Sequence, residues 1–318
     1  MKKSILSLFL FLIPFFCMAS EAGRYDRTIT VAADGSGDFV TIAEALRKLK
    51  GDSEESVRIF VRNGIYNEKI LVNYTVNNVT IEGESAEGTV ITNGDYASLR
   101  NMGTSGSYTL RVDGNNITLR NLTIENSAGP VGQAVALHTT GDRIRVENCR
   151  ILGNQDTLYA SGRNARALFD NCYVEGTVDF IFGAATALFR NCHIHAKSNS
   201  YLTAASTAAE TPVGYVFHKC RVTSAPDVTG VHLGRTWRPY ASTFFIECEL
   251  PASIVPKGWH NWGKTENEAT ARYGEYDCTG EGACQDDRVP WRKTLSAEDA
   301  ARLTDPAYIF ARSSAWDI

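Results

Sequence analysis

The chain is short of positive charge, of long apolar runs and of the local signatures by which many hydrolases are recognised, and each shortage removes a class of function. Its 32 Lys and Arg stand against 36 Asp and Glu, a formal net charge of −4. Such a balance offers no basic field to nucleic acid, and no nucleic-acid partner is expected. An anionic substrate would have to be met by local arginines. The longest apolar run, Ile5 to Met18, is broken by Pro14 and falls short of the roughly 20 residues needed to span a bilayer, so no transmembrane segment is expected. The six histidines include no His-Glu-x-x-His pair, and the chain has neither a Gly-x-Ser-x-Gly elbow nor a phosphate loop. No metal site and no cofactor is expected.

The apolar run follows Lys2 and Lys3 and leads into small residues at Ala19, Ser20 and Ala22, the layout of a secretion signal. Residues 1–22 are therefore read as a leader and 23–318 as one domain, secreted or periplasmic. Cys17 leaves a lipoprotein anchor open as the lesser alternative. The two residues before it are Phe rather than small.

What is present is a repeat. Three polar cassettes interrupt a β-prone region: Gln133-Ala134-Val135-Ala136-Leu137, Gln155-Asp156-Thr157-Leu158 and Asp179-Phe180-Ile181-Phe182-Gly183. Gln155 follows Gln133 by 22 residues, and Asp179 follows Asp156 by 23. A strand-rich chain that returns every 20 to 25 residues is the mark of a solenoid whose coils stack one on the next. Stacked strands lie roughly 4.8 Å apart. Residues distant in sequence would then project side by side from neighbouring rungs.

Short β-branched strands alternate with Gly and Asn turns from Val57 onward, at Val57 to Val61, Val79 to Ile81, Val90 to Ile91, Ile117 to Leu119 and Leu122 to Ile124. Arg145-Val146-Glu147-Asn148-Cys149 is echoed at Leu168 to Cys172, Leu188 to Cys192, Val216 to Cys220 and Phe245 to Cys248. These cysteines have two readings, a disulfide framework or an in-register column of small buried hydrophobes. Cys278 and Cys284 flank a short loop outside the repeat and are the better disulfide candidates in an oxidising compartment. Upstream, Thr41 and Glu44 form a capping box for a helix bearing Ile42, Ala45, Leu46 and Leu49, which could plug the open end of the solenoid. Beyond Pro251 the repeat fades into a loop-rich tail with Trp259, Trp262, Tyr273, Tyr276 and Trp291, several of them structural, and a helix from Ser296 to Leu303 with Ser296 as N-cap. The tail is expected to pack along the outside.

The residue chemistry is a carboxylate pair with amides beside it, which suits acyl transfer or glycoside chemistry. The bland alternative is a polar ladder, since Asn, Gln and Asp stack inside solenoids and satisfy one another. That account is weakest for Asp156 and Asp179 together, because a buried carboxylate pair is costly without a task. His193 and His195 share a strand face and read as structural, as does Glu68.

These cassettes resemble the pectin methylesterases, the pectinesterase family. Five motifs stand in family order: Gly64-Ile65-Tyr66-Asn67-Glu68, Gln133 to Leu137, Gln155 to Leu158, Asp179 to Gly183, and Leu233-Gly234-Arg235-Thr236-Trp237. The similarity runs from about Ile29 to the C-terminus, as in a secreted bacterial member. It implies an all-β fold, a right-handed parallel β-helix with an N-terminal capping helix and a loop-rich C-terminal tail. It also implies a monomer whose partner is the polysaccharide pectin, from which C6 methyl esters are removed to give methanol and free carboxylates. Carried over by motif, Asp179 is the nucleophile and Asp156 the general acid and base. Gln133 and Gln155 line the oxyanion site, Arg235 orients the nucleophile, and Trp237, Tyr159, Phe182 and Trp262 line the substrate cleft. The family pattern has Pro where this chain has Thr236, which bears on loop stiffness more than on chemistry.

Physical chemistry makes these roles intelligible. Two carboxyls on adjacent rungs cannot both ionise cheaply, so the one with a guanidinium partner stays charged. A β-helix lyase using Ca²⁺, a glycoside hydrolase, a silent carbohydrate-binding β-helix and an esterase for another acyl substrate are the competing functions. The first two do not explain the paired glutamines.

Overall fold

The computed structural model describes residues 24–283, 286–311, 316 and 318. The expected leader, including Cys17, and Cys284 lie outside the described residues. Three sheets of 11, 8 and 7 strands carry almost all the regular structure. Strands that are neighbours in a sheet come from successive coils, and their pairings are parallel: Leu119 lies beside Val146, Val146 beside Phe169, and Phe169 beside Phe189. The chain is a parallel β-helix. Each central coil contributes one strand to each sheet, and the inward residues of all three close on a continuous apolar core.

The Asn-Cys echoes mark the corner between the 11- and 7-stranded sheets. That corner needs a residue in the left-handed region, which Asn tolerates better than most. Asn121, Asn148, Asn171 and Asn191 all adopt it, with φ between 51° and 54°. Later coils place Lys219, Glu247 and Asp277 at the same corner with φ of 54°, 53° and 48°. Stacking therefore imposes the corner even where local preference does not supply it.

The cysteine after each corner points inward. Cys172, Cys192, Cys220 and Cys248 donate their thiols to the carbonyls of Val146, Phe169, Phe189 and Phe217 on the preceding coil, at 3.3 to 3.4 Å. They and Cys149 are buried free thiols, so of the two readings the column holds. Cys278 corrects the sequence reading. It donates to Phe245 O at 3.4 Å, the same contact that the four preceding cysteines make, and is a further member of the column rather than a residue outside the repeat. Beside the column Phe169, Phe189, Phe217 and Phe245 stack with centroids 4.4 to 4.6 Å apart. Such ring pairs add about 0.5–1.5 kcal/mol each beyond burial.

The repeat does not fade at Pro251. Trp259–His260 and Arg272–Tyr276 continue the 8- and 11-stranded sheets for another coil, and Trp259 and Tyr273 are core residues. The hydrophobic pattern was obscured there because two aromatics replace the β-branched residues. The tail then packs outside, as expected. Helices Ala297–Thr304 and Pro306–Ile309 set Ala300, Leu303, Ile309 and Phe310 against Leu168, Leu188, Val216 and Phe244 on the outer face of the 11-stranded sheet. Ser296 is the N-cap, in a capping box with Asp299.

At the other end, helix Ile42–Arg47 lies against strands Arg27–Val31, Val57–Val61 and Ile70–Val72. Only half of the expected capping box forms: Thr41 Oγ1 accepts from Glu44 N. Glu68 supplies the rest from another coil, accepting the amides of Ile42 and Ala43 on its two oxygens at 2.9 Å. A carboxylate on a helix N-terminus is favourably placed, and Glu68 is structural, as read.

Candidate active site

The cleft lies on the outer face of the 8-stranded sheet. Parallel register builds it in two columns. Leu158 pairs with Ile181 and Ile181 with Thr203, so Asp156, Asp179 and Tyr201, each two residues earlier, occupy successive rungs. His232 follows, paired with Tyr201. The second column runs His138, Tyr159, Phe182, Ala204, Arg235 and His260. Between the rungs lies a cavity of about 400 Å³ that brings together Gln133, Gln155, Asp156, Asp179, Tyr159, Phe182, Arg235, Trp237 and Trp262. All nine residues singled out in the sequence meet there.

Both aspartates sit where a strand begins, with left-handed backbone, φ 64° at Asp156 and 51° at Asp179. That conformation is sparsely populated for residues with a side chain and clusters at functional sites. It turns each carboxyl out of the ladder toward the cleft while the backbone still pairs: Asp156 N donates to Val178 O and Asp179 N to Tyr201 O. Gly183, at the end of the third cassette, has a structural reason. Its φ is 123°, and a Cβ there would meet the Ala160 carbonyl at 2.1 Å.

The two carboxyls have different surroundings. Asp179 takes a two-point pair from Arg235, Nε to Oδ1 at 2.8 Å and Nη2 to Oδ2 at 2.5 Å. Asp156 is 8% exposed and has no side-chain hydrogen-bond partner among the described residues. Burial, and then the charge of Asp179, pushes the Asp156 carboxyl up to about 8. Burial also raises Asp179, but there the Arg235 hydrogen bonds and charge pull the other way. The pair is thus split in the direction the sequence argument required, with Asp156 protonated near neutral pH and Asp179 the more readily ionised.

Arg235 is itself clamped. Its guanidinium lies 3.6 Å from the Trp262 ring centroid and 4.1 Å from that of Tyr201. Tyr273 donates its hydroxyl to the Arg235 carbonyl at 2.8 Å from within the core. A guanidinium held between two aromatic faces has little freedom to leave its carboxylate.

The amide side chains of Gln133 and Gln155 have no hydrogen-bond partner among the described residues, and both line the cleft. Gln155 is half-buried and Gln133 exposed. The apolar wall is a ring stack, His138 on Tyr159 at 4.3 Å and Tyr159 on Phe182 at 4.2 Å, with Trp237 tilted against Phe182. Ala204 follows Phe182 in the column, and its small side chain leaves the floor open between the stack and Arg235.

Sequence reasoning missed Tyr201, Ala204, His138 and the loop residues Thr104 and Ser105. Tyr201 had a signal, since it follows Asp179 by 22 residues, the period that links the cassettes. Thr104 and Ser105 come from a 3-10 turn, Thr104–Gly106, in a connection that no period reaches. The expected structural role of His193 and His195 agrees with their contacts: both ring nitrogens meet Thr223 Oγ1, at 2.7 and 2.8 Å.

Comparison with known proteins adds independent findings. The family model described as Pectinesterase matches residues 28–312. Pectinesterase 31 of Arabidopsis thaliana is 37% identical over 294 residues, spanning 89% of this chain and 92% of its own. Among solved structures, pectin methylesterase from carrot superposes with a TM-score of 0.84 at 32% identity, over 89% of this chain and 92% of its own. The pectin methylesterase of Aspergillus niger gives 0.79 at 29% identity, over 89% and 93%.

Proposed function

Since the chain belongs to the pectinesterase family and hydrolyses the methyl esters of pectin, we propose that it does so through an acyl-enzyme formed on Asp179. The observation that carries this reading is the contrast between Asp179, held on both oxygens by Arg235, and Asp156, buried without a partner.

The ionised Asp179 attacks the C6 carbonyl carbon of a methylated galacturonate. Negative charge develops on the carbonyl oxygen, which faces the amide groups of Gln133 and Gln155. One such donor is worth roughly 3 to 4 kcal/mol in the transition state. Collapse breaks the bond to the methoxy oxygen, and Asp156 gives that oxygen its proton, so methanol leaves and an anhydride joins substrate to Asp179. Water then attacks the substrate carbonyl while Asp156 takes back a proton. The anhydride opens to galacturonic acid and ionised Asp179, the product acid loses its proton to solvent as the carboxylate, and both side chains return to their starting states. Tyr159, Phe182, Trp237 and Trp262 offer rings to the apolar faces of the sugars.

Residues 1–22 serve in this reading as a removable leader that delivers residues 23–318 outside the cytoplasm as a monomer. Among the described residues, no helix is long and apolar enough to cross a membrane.

The test is methanol release from methylated pectin in excess chelator, with chain length, viscosity and unsaturated ends followed in parallel. Methanol without chain cleavage is expected, together with its loss in Asp179→Asn. Rapid viscosity loss or a strict Ca²⁺ requirement would move the chemistry to depolymerisation, and an undiminished Asp179→Asn would remove the acyl-enzyme.

A further inference from the structure

Trp262 is a bulky residue with φ of 63°, a left-handed conformation with a cost for any residue bearing a Cβ. Something must hold it there. The structure shows two consecutive side-chain turns doing so. His260 Nδ1 accepts the amide of Trp262 at 3.0 Å, and Asn261 Oδ1 accepts the amide of Gly263 at 2.8 Å. Asn261 is anchored in turn by donating its side-chain amide to Glu268 at 2.7 Å. Asn and Asp commonly build turns by accepting the amide two residues on. Here an imidazole does the same for the tryptophan that covers Arg235.

We propose that His260 is a positioning residue for the esterase reaction: as a neutral imidazole accepting from Trp262 N, it fixes the turn that lays the indole against Arg235 and so holds Arg235 on Asp179. This rests on the assignment of Asp179 as nucleophile and deepens it. His260 touches neither the reacting atoms nor the carboxylates. Its place in the column is one rung beyond Arg235, with which its backbone is paired. Its effect passes through the Trp262 turn, 3.6 Å of contact and the guanidinium.

The role needs Nδ1 unprotonated, and the surroundings provide for that. Arg235 and Lys257 present positive charge to the ring, His232 meets it edge-on at 5.6 Å, and Tyr201 lies tilted at 5.4 Å. Burial, then Arg235, then Lys257 hold the His260 imidazole below its usual range. Burial and the neighbouring His260 hold His232 lower still, at about 4. Arg235 and Lys257 act on both rings, and both disfavour a protonated imidazole.

A double-mutant cycle tests the coupling on the full protein, with methanol release read as kcat and KM. His260→Leu removes the acceptor and is expected to lower kcat/KM about five- to tenfold, within the upper part of the range of one lost neutral hydrogen bond. His260→Asn restores an acceptor at the position of Nδ1 and is expected within about twofold of wild type by the same measure. In a Trp262→Ala background, His260→Leu should add less than about twofold, because the path to Arg235 is already cut. A full separate penalty in that background, or an Asn variant as impaired as the Leu variant, overturns the proposal. Arg235→Lys, assayed alongside, separates the two readings. If it turns over normally, the Arg235–Asp179 assignment has failed; if it is impaired while His260 and Trp262 act additively, only the His260 role has failed.

Discussion

Arg235 holds both carboxylate oxygens of Asp179 although 56 residues separate them in the chain. Asp156, one coil before Asp179, receives no comparable contact among the described residues, and burial with the charge of Asp179 lifts its carboxyl to about 8. One guanidinium thus gives two chemically identical side chains different surroundings.

The first prediction follows from that division. Asp179→Asn removes the proposed nucleophile, and methanol release should fall to background. Asp156→Asn keeps nucleophile and amides but loses the proton carrier, worth about 10² to 10⁴ in rate. Sensitive methanol detection should therefore find a slow but measurable residue of activity. A more active Asp179→Asn than Asp156→Asn would exchange the roles.

A second prediction concerns pH. The proposed mechanism requires Asp179 ionised and Asp156 protonated in the free enzyme, so kcat/KM should form a bell whose alkaline limb falls near 8. Asp156→Asn should lose that alkaline limb from its residual rate. Stability carries the same group. The folded chain keeps a proton on Asp156 that the unfolded chain releases near 3.8, so this contribution is complete below 3.8 and is lost as pH rises through about 8. Thermal melting of Asp156→Asn should match wild type in acid and exceed it increasingly toward pH 8 to 9. A melting difference that shrinks on the alkaline side would contradict the raised carboxyl.

Thr236, where the family pattern has Pro, gives a third. Its hydroxyl and carbonyl both accept from the buried Asn267 side chain, at 3.0 and 3.3 Å, tying the strand that carries Arg235 and Trp237 to the turn after Trp262. Asn267→Ala leaves both acceptors unmet in a dry site and should cost about 1–3 kcal/mol of stability in denaturant unfolding. Thr236→Val keeps the carbonyl bond and should cost less. Equal effects would mean that the hydroxyl carries the whole tie.

The cysteine column yields a fourth. Alkylation of denatured, unreduced protein followed by peptide mapping should find Cys149, Cys172, Cys192, Cys220, Cys248 and Cys278 modified as free thiols. Cys278 recovered in a bridged peptide with Cys284 would take it out of the column and restore the loop disulfide that spacing alone suggested.

The sequence determined the coil period, the cysteine column, the cassettes and the outward tail, because in a stacked solenoid a residue's environment depends on its phase within the repeat. Phase is written locally, in alternation of side chains and in Asn at the corners. It fails only where the pattern changes its residues: aromatics at Trp259 and Tyr273 hid a further coil, and with it the column position of Cys278. The pairing of Arg235 with Asp179 rather than Asp156 was available to the sequence only through the family resemblance, since the reach of a guanidinium across columns has no signature in spacing; tertiary structure supplied its geometry. It also decided the clamp of Tyr201 and Trp262 on that guanidinium and the left-handed turn of Trp262 on His260. Those features arise from where rings and charges come to rest once neighbouring coils exclude water, and no single coil contains that information.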